Sequence, residues 1–116
     1  MNITRVILEV SDLARAVSFW SETVGFPVQT TSEAFAFLDA GPIQLVLNER
    51  GEPGPASDTE LVIEAEDFAE AYRQAVERGV PFEVEPRPVT SDGSRDLMAT
   101  HFRDPDGNLA SLTGWV

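Results

Sequence analysis

Apolar and polar positions alternate from Ile3 to Val10 and again from Glu60 to Ala65, the period of a strand with one buried face. After each run the period lengthens to that of a helix. Leu13, Ala16, Val17, Trp20 and Val24 follow the capping residues Ser11 and Asp12, and Phe68, Ala71, Tyr72, Ala75 and Val76 follow Asp67. Gly25 and Gly79 stand just past the last turns, where a residue of positive φ closes a helix. Short extended runs come next: Pro27 to Thr31, Ala34 to Asp39 and Ile43 to Asn48, then Pro81 to Glu85, Leu97 to Arg103 and Asn108 to Thr113. Each half therefore reads as strand, helix and three strands.

The halves also match residue by residue. Glu9, Asp12, Ala14, Ala16 and Glu22 recur in register as Glu64, Asp67, Ala69, Ala71 and Glu77, and Gly25-Phe26-Pro27 recurs as Gly79-Val80-Pro81. This predicts an α+β chain of two tandem βαβββ modules, one over residues 1–49 and one over 59–116, within a single domain. The intervening 50–58 is rich in Gly and Pro and reads as a linker. The stretch Pro86 to Asp96 lacks a pattern and is expected to form an irregular rim over a cavity. Asp104-Pro105-Asp106-Gly107-Asn108 has the residues of a turn joining two strands.

At 116 residues the chain is long enough for one domain with a modest core and too short for a separate cofactor domain. Eight basic residues, all arginine, face twenty acidic ones, for a net charge of −12. That field repels phosphate backbones and anionic lipid and concentrates cations, so neither nucleic acid nor membrane is an expected partner. Cysteine is absent, which removes disulfides, thiolate metal ligands and a cysteine nucleophile. The N-terminus lacks the apolar core of a signal peptide, and no apolar run reaches the roughly 20 residues of a membrane span, so a cytoplasmic protein is expected. No Gly-rich phosphate loop, HExxH or Gly-x-Ser-x-Gly motif occurs.

Val10-Ser11-Asp12-Leu13, Val17-Ser18-Phe19-Trp20, Val24-Gly25-Phe26 and Phe102-Arg103-Asp104-Pro105-Asp106-Gly107-Asn108, in this order inside a duplication, resemble the vicinal oxygen chelate superfamily of glyoxalase I, bleomycin-resistance proteins and extradiol dioxygenases. The resemblance spans essentially the whole chain. It implies curved mixed sheets around a cleft, commonly completed in a homodimer, but not one chemistry. Metal-dependent relatives draw four ligands from the first and last strands of the modules. Those positions correspond here to Arg5, Gln44, Glu60 and Ser111, of which Glu60 alone is a good ligand for a divalent ion. A metal cofactor is therefore not expected. Arg5 and Glu60 could instead form an ion pair.

Strand alternation assigns Val6, Leu8 and Val10 to the helix-packing face and Arg5, Ile7 and Glu9 to the cleft. The same rule turns Gln44, Val46 and Asn48, Glu60, Val62 and Glu64, and Leu109, Ser111 and Thr113 toward it. His101 is expected opposite the core residue Phe102, lining the cleft. Trp20 is expected in the core, Trp115 beyond the last strand, and Phe35 and Phe37 together on a face that parity alone does not fix. Three carboxylates against one guanidinium predict a ligand that is cationic or aromatic, an antibiotic or natural product sequestered without turnover. The alternative is an enzyme: a lyase, isomerase or dioxygenase with a metal at a rearranged site, or a metal-free acid–base catalyst using Glu9, Glu60 or His101.

Overall fold

A computed structural model describes residues 1–52 and 59–116. Most of the predicted linker, 53–58, lies outside the described residues. The chain divides into two compact units, Met1–Ala56 and Ser57–Val116, and each carries a four-stranded sheet of its own.

Unit 1 contains β1 (Arg5–Val10), α1 (Leu13–Val17), a π-helical segment (Ser18–Val24), β2 (Val28–Thr31), β3 (Phe35–Asp39) and β4 (Gln44–Glu49). Unit 2 contains β5 (Glu60–Glu64), α2 (Phe68–Glu77), β6 (Arg87–Ser91), β7 (Asp96–Arg103) and β8 (Leu109–Trp115). The two sheets have the same order, β1-β4-β3-β2 and β5-β8-β7-β6. In each, the first and last strands pair in parallel and the remaining pairs are antiparallel. The duplication seen in the sequence is thus a duplication of topology, and the α+β, two-module architecture holds.

One face of each sheet carries the helix. Leu8 and Val10 of β1, Ala36 and Leu38 of β3, and Leu45 and Leu47 of β4 are buried with Ala16 and Trp20. In unit 2 Phe68, Ala75, Phe102, Ala110 and Leu112 play that part. Asp12 caps α1 by accepting from the Arg15 amide at 3.0 Å, and Asp67 caps α2 by accepting from the Glu70 amide at 3.1 Å, as their position before each apolar run implies. On the outer side of α2, Arg73 bridges Glu70 and Glu77, each at 2.6 Å, which lowers the Glu70 pKa through the Arg73 hydrogen bond and raises that of Arg73.

The molecule departs from the sequence pattern at three places. The first helix is α-helical for only one turn and then widens: the Ser21 hydroxyl donates to the Val17 carbonyl at 2.6 Å, and the amides of Gly25 and Phe26 both donate to the Trp20 carbonyl. Trp20 is fully buried there, with Phe26 stacked on it. Pro81–Glu85 is not a ladder strand. Phe82 packs on Tyr72 and Phe102, the Glu83 amide donates to the His101 carbonyl at 2.8 Å, and the Val84 carbonyl accepts from the Thr100 hydroxyl at 2.6 Å. The edge strand of unit 2 begins instead at Arg87, inside the segment expected to be irregular. All five residues of β6 are exposed, so it has no apolar alternation to read, and its edge position tolerates Pro88. Finally, β8 runs on to Trp115, because Asp96 and Val116 exchange backbone hydrogen bonds at 2.9 Å, and Arg95 lies 5.3 Å over the Trp115 ring.

Candidate functional site

The sheet face opposite the helix is where both units display polar and apolar side chains together. In unit 1 the register makes three rows: Arg5, Gln44 and Asp39; Ile7, Val46 and Phe37; Glu9, Asn48 and Phe35. Phe35 and Phe37 therefore stand on the face opposite the helix, a choice that parity alone does not make. Ile7 is 56% exposed and Phe35 36%. The polar groups in these rows are engaged close by, Asp39 with the Gly41 amide at 2.9 Å. Arg5 Nε donates to Gln44 Oε1 at 2.8 Å, and Gln44 Nε2 donates to Gln29 at 2.6 Å. Glu9 accepts from Asn48 at 3.3 Å and lies 3.7 Å from Arg50.

Unit 2 differs. Its rows are Glu60, Leu109 and Arg103; Val62, Ser111 and His101; Glu64, Thr113, Ala99 and Arg87. On this face lies a hollow of about 260 Å³. Its walls come from Glu60 and Val62 of β5 and from Arg87 and Val89 of β6. Its floor is Ser111 and Thr113 of β8 with Ala99, Thr100 and His101 of β7. Val62 and Val89 are 63% and 50% exposed, so both present apolar surface to the hollow. Ser111 and Thr113 are buried, and the Thr113 hydroxyl is spent on the Ile63 carbonyl at 2.8 Å.

His101 is held from one side. Its Nε2 lies 3.3 Å from the Glu83 carboxylate, and Arg103 Nε lies 3.7 Å from the same oxygen while Arg103 Nη1 donates to the Gly107 carbonyl. The segment that fails to become a strand thus supplies the group that orients the imidazole. A carboxylate on one ring nitrogen sets which face the other presents, the arrangement on which proton transfer or hydrogen-bond recognition depends.

Of the residues expected at the site, Glu60, Val62, His101 and Ser111 come together in this hollow, with Thr113 beside them. Glu64 stands in the same face without lining it. Arg5, Ile7, Glu9, Gln44 and Val46 lie on the corresponding face of unit 1. Sequence reasoning missed Arg87, Val89 and Glu83, all in the stretch where strand and loop were exchanged. With them the charge count on these faces changes. Three carboxylates against one guanidinium becomes a near balance, since Arg87 and Arg103 join and Arg50 lies beside Glu9. The excess acid of the chain sits elsewhere, as on α2 and its approach, Glu66, Asp67, Glu70 and Glu77.

The family's four-ligand metal set does not fit these residues. Arg5 is a permanent cation, and the carbonyl oxygen that Gln44 would offer a metal already accepts from it. Among the described residues no three His, Asp or Glu side chains are grouped as a metal would need. The clear carboxylate shift on unit 2 outside α2 is at Asp92 in the β6–β7 turn, lowered to about 2 by hydrogen bonds from the Ser94 and Arg95 amides. It does not line the hollow.

Comparison with known proteins fits this architecture. The family model described as the Glyoxalase/Bleomycin resistance protein/Dioxygenase superfamily matches residues 2–112. The uncharacterized protein YraH of Bacillus subtilis is 27% identical, over 97% of this chain and 97% of its own. The virulence protein STM3117 of Salmonella typhimurium is 24% identical, over 99% of this chain and 85% of its own. The crystal structure of a glyoxalase/bleomycin resistance protein/dioxygenase from Nocardioides superposes with a TM-score of 0.81 at 19% identity, covering 100% of this chain and 84% of that one.

Proposed function

Because the chain belongs to the Glyoxalase/Bleomycin resistance protein/Dioxygenase superfamily, we propose that it is a metal-independent binding protein for a small organic molecule, which it holds on the open sheet face of unit 2 and sequesters without turnover. One observation carries this reading. Unit 2 keeps a concave site with exposed apolar walls, Val62 and Val89, and convergent polar groups, although the residues at the family's ligand positions do not make a metal set. Binding needs the hollow and its polar groups; it does not need a Lewis acid. The expectation of a cationic or aromatic ligand is narrowed in this proposal, because Arg87 stands with Glu60 in the lining. An apolar or aromatic body against the two valines remains part of the proposal. The exposed Ile7 and Phe35 of unit 1 are the surface that the proposed homodimer covers.

Protein-observed NMR tests it. After exhaustive treatment with a chelator, titration with a chemically varied panel of aromatic, cationic and zwitterionic small molecules is expected to shift the methyl resonances of Val62, Val89 and Ala99 saturably for some members. Absence of any saturable shift there, or shifts that appear only after a divalent ion is restored, overturns the proposal. The specific observation favouring a second reading, metal-free acid–base catalysis, is the Glu83–His101 contact at 3.3 Å. Chemical change in a bound panel member, abolished by His101→Gln, would establish that reading instead.

A further inference from the structure

Arg87 stands apart from the other arginines with known contacts. Arg5, Arg15, Arg50, Arg73, Arg95 and Arg103 are each hydrogen-bonded or within ion-pair distance of a carboxylate. The Arg87 guanidinium has no such partner among the described residues, although the chain offers twenty acidic side chains and carries a net charge of −12. It lines the hollow on β6. In a protein so rich in carboxylates, a guanidinium left unpaired at the wall of a concave site is a place for an anionic group of a ligand, which it can grip through two parallel N–H donors.

A ligand that is only anionic meets an obstacle. The field of the whole chain opposes it, and Glu60, likewise without a side-chain partner among the described residues, lines the same hollow. Both features are met by a molecule that carries its own cation. Glu60 and Arg87 come from β5 and β6, the two outer strands of the sheet, with β8 and β7 between them. Three strand spacings of about 4.8 Å separate the two strands by about 14 Å, and Arg87 stands in the row of Glu64, four positions along from Glu60, so those backbones lie about 19 Å apart before curvature. Two long side chains reaching inward leave a gap of several bonds, too wide for the adjacent charged groups of a single α-amino acid. At about 260 Å³ the hollow lies just below the roughly 300–1,000 Å³ of drug-sized ligand sites.

Resting on the reading of this hollow as a binding site, we propose that its ligand is a small zwitterion whose charged ends are several bonds apart. The carboxylate sits at Arg87, the ammonium at Glu60, and an apolar body lies on Val62 and Val89 above the hydroxyl of Ser111 and the imidazole of His101. A dipeptide with an apolar side chain is a small molecule of this class that also carries the apolar body.

The test uses glycyl-L-leucine, its N-acetyl derivative and its C-terminal amide, titrated into the full chain by protein-observed NMR at low ionic strength. The dipeptide is expected to bind saturably at the Val62 and Val89 methyls. Each blocked derivative is expected to bind about tenfold more weakly or worse, the loss of one charged hydrogen-bonding end. Arg87→Gln is expected to weaken the dipeptide by a similar factor while leaving the amide, which lacks the carboxylate, nearly unchanged; Glu60→Gln should do the converse with the N-acetyl derivative. Both positions are exposed, and the variants' unliganded spectra report whether they fold. If the dipeptide and both derivatives bind equally, or if Arg87→Gln weakens all three alike, the zwitterion assignment is wrong. If neutral or cationic aromatic compounds bind at these methyls and the dipeptide does not, the assignment fails while the hollow stands as a binding site. If nothing binds there, both fail.

Discussion

Replacing Gly114 by alanine separates two effects of opposite sign. Gly114 lies within β8, paired with Met98, and its φ is not in the left-handed region, so the backbone conformation itself admits any residue. On backbone grounds alone alanine should stabilise the fold by about 0.4–1 kcal/mol, because it removes freedom from the unfolded chain. Packing says otherwise. A Cβ built there falls 2.7 Å from Phe68 Cβ and 2.8 Å from the Ala65 carbonyl oxygen, with Phe68 Cα at 3.4 Å. Neither close neighbour is the far end of a flexible side chain. One is the stem of the first residue of α2 and the other is the backbone between β5 and α2, so relief requires the helix to lift from the sheet. Overpacking of that kind costs about 1–3 kcal/mol, which outweighs the entropic gain. The expected result in urea unfolding is a lower midpoint with an unchanged slope. Truncating the neighbour as well, in Gly114→Ala/Phe68→Ala, is expected to bring no relief, because alanine keeps the offending Cβ. A midpoint at or above that of the parent chain would refute the inference that the close approach of α2 to β8 is what demands glycine here.

The turns of unit 2 supply two more tests. Asp104 is buried and accepts from the amides of Asp106 and Asn108 and from the Asn108 side chain, at 2.8–2.9 Å; Asp104→Ala strands the buried Asn108 donors and should cost about 1–3 kcal/mol, read as a lower unfolding midpoint and faster hydrogen exchange at the Asn108 amide. Asp92, lowered from 3.8 to about 2 by hydrogen bonds from the Ser94 and Arg95 amides, contributes stability that is complete above its unfolded value and is lost as the pH falls toward 2. Carbon NMR of its carboxyl should show that low midpoint, and a midpoint at or above 3.8 would remove the proposed role of the two amides.

What was readable in the sequence, and what was not, divides along burial for every strand but β2, which was read although all four of its residues are exposed. Strands with one buried face announced themselves: β1 shows Leu8 and Val10 buried and Arg5, Ile7 and Glu9 exposed, as its alternation implied. The helix caps were equally plain, since Asp12 and Asp67 must meet a free amide in the first turn. β6 left no trace because none of its residues is buried, whereas Phe82 and Val84 before it alternate inward and so imitate a strand while serving as a strap. The site suffered from that exchange. Glu60, Val62, His101 and Ser111 were accessible to parity, but Arg87 and Val89 depend on knowing where the edge strand starts, and Glu83 on knowing that its segment turns back beside β7. The widening of the first helix was invisible for a different reason. It arises from a hydroxyl competing for a carbonyl, which hydrophobic spacing does not register.

The two modules share topology and divide the labour of their open faces differently. In unit 1 the polar groups of the rows are paired close by, Arg5 with Gln44 and Gln29, Glu9 with Asn48 and with Arg50 just past β4, and Asp39 with the Gly41 amide, so little is left to recruit an outside molecule. What remains there is apolar, Ile7 and Phe35. In unit 2 the corresponding rows are not paired in this way. Glu83, the carboxylate brought to His101 and Arg103, comes from outside the sheet, while among the described residues Glu60 and Arg87 stay unpaired on opposite outer strands. Leaving two such charges uncompensated lowers stability little, because both are solvated, yet it keeps a dipolar hollow open. A duplicated fold can in this way keep the polar groups of one face paired and leave charges of the other open to the proposed ligand. The difference lies both in side chains at matching positions, Arg5 and Glu60, and in the backbone of the edge, where unit 2 brings in Glu83 from a strap and Arg87 from a later strand.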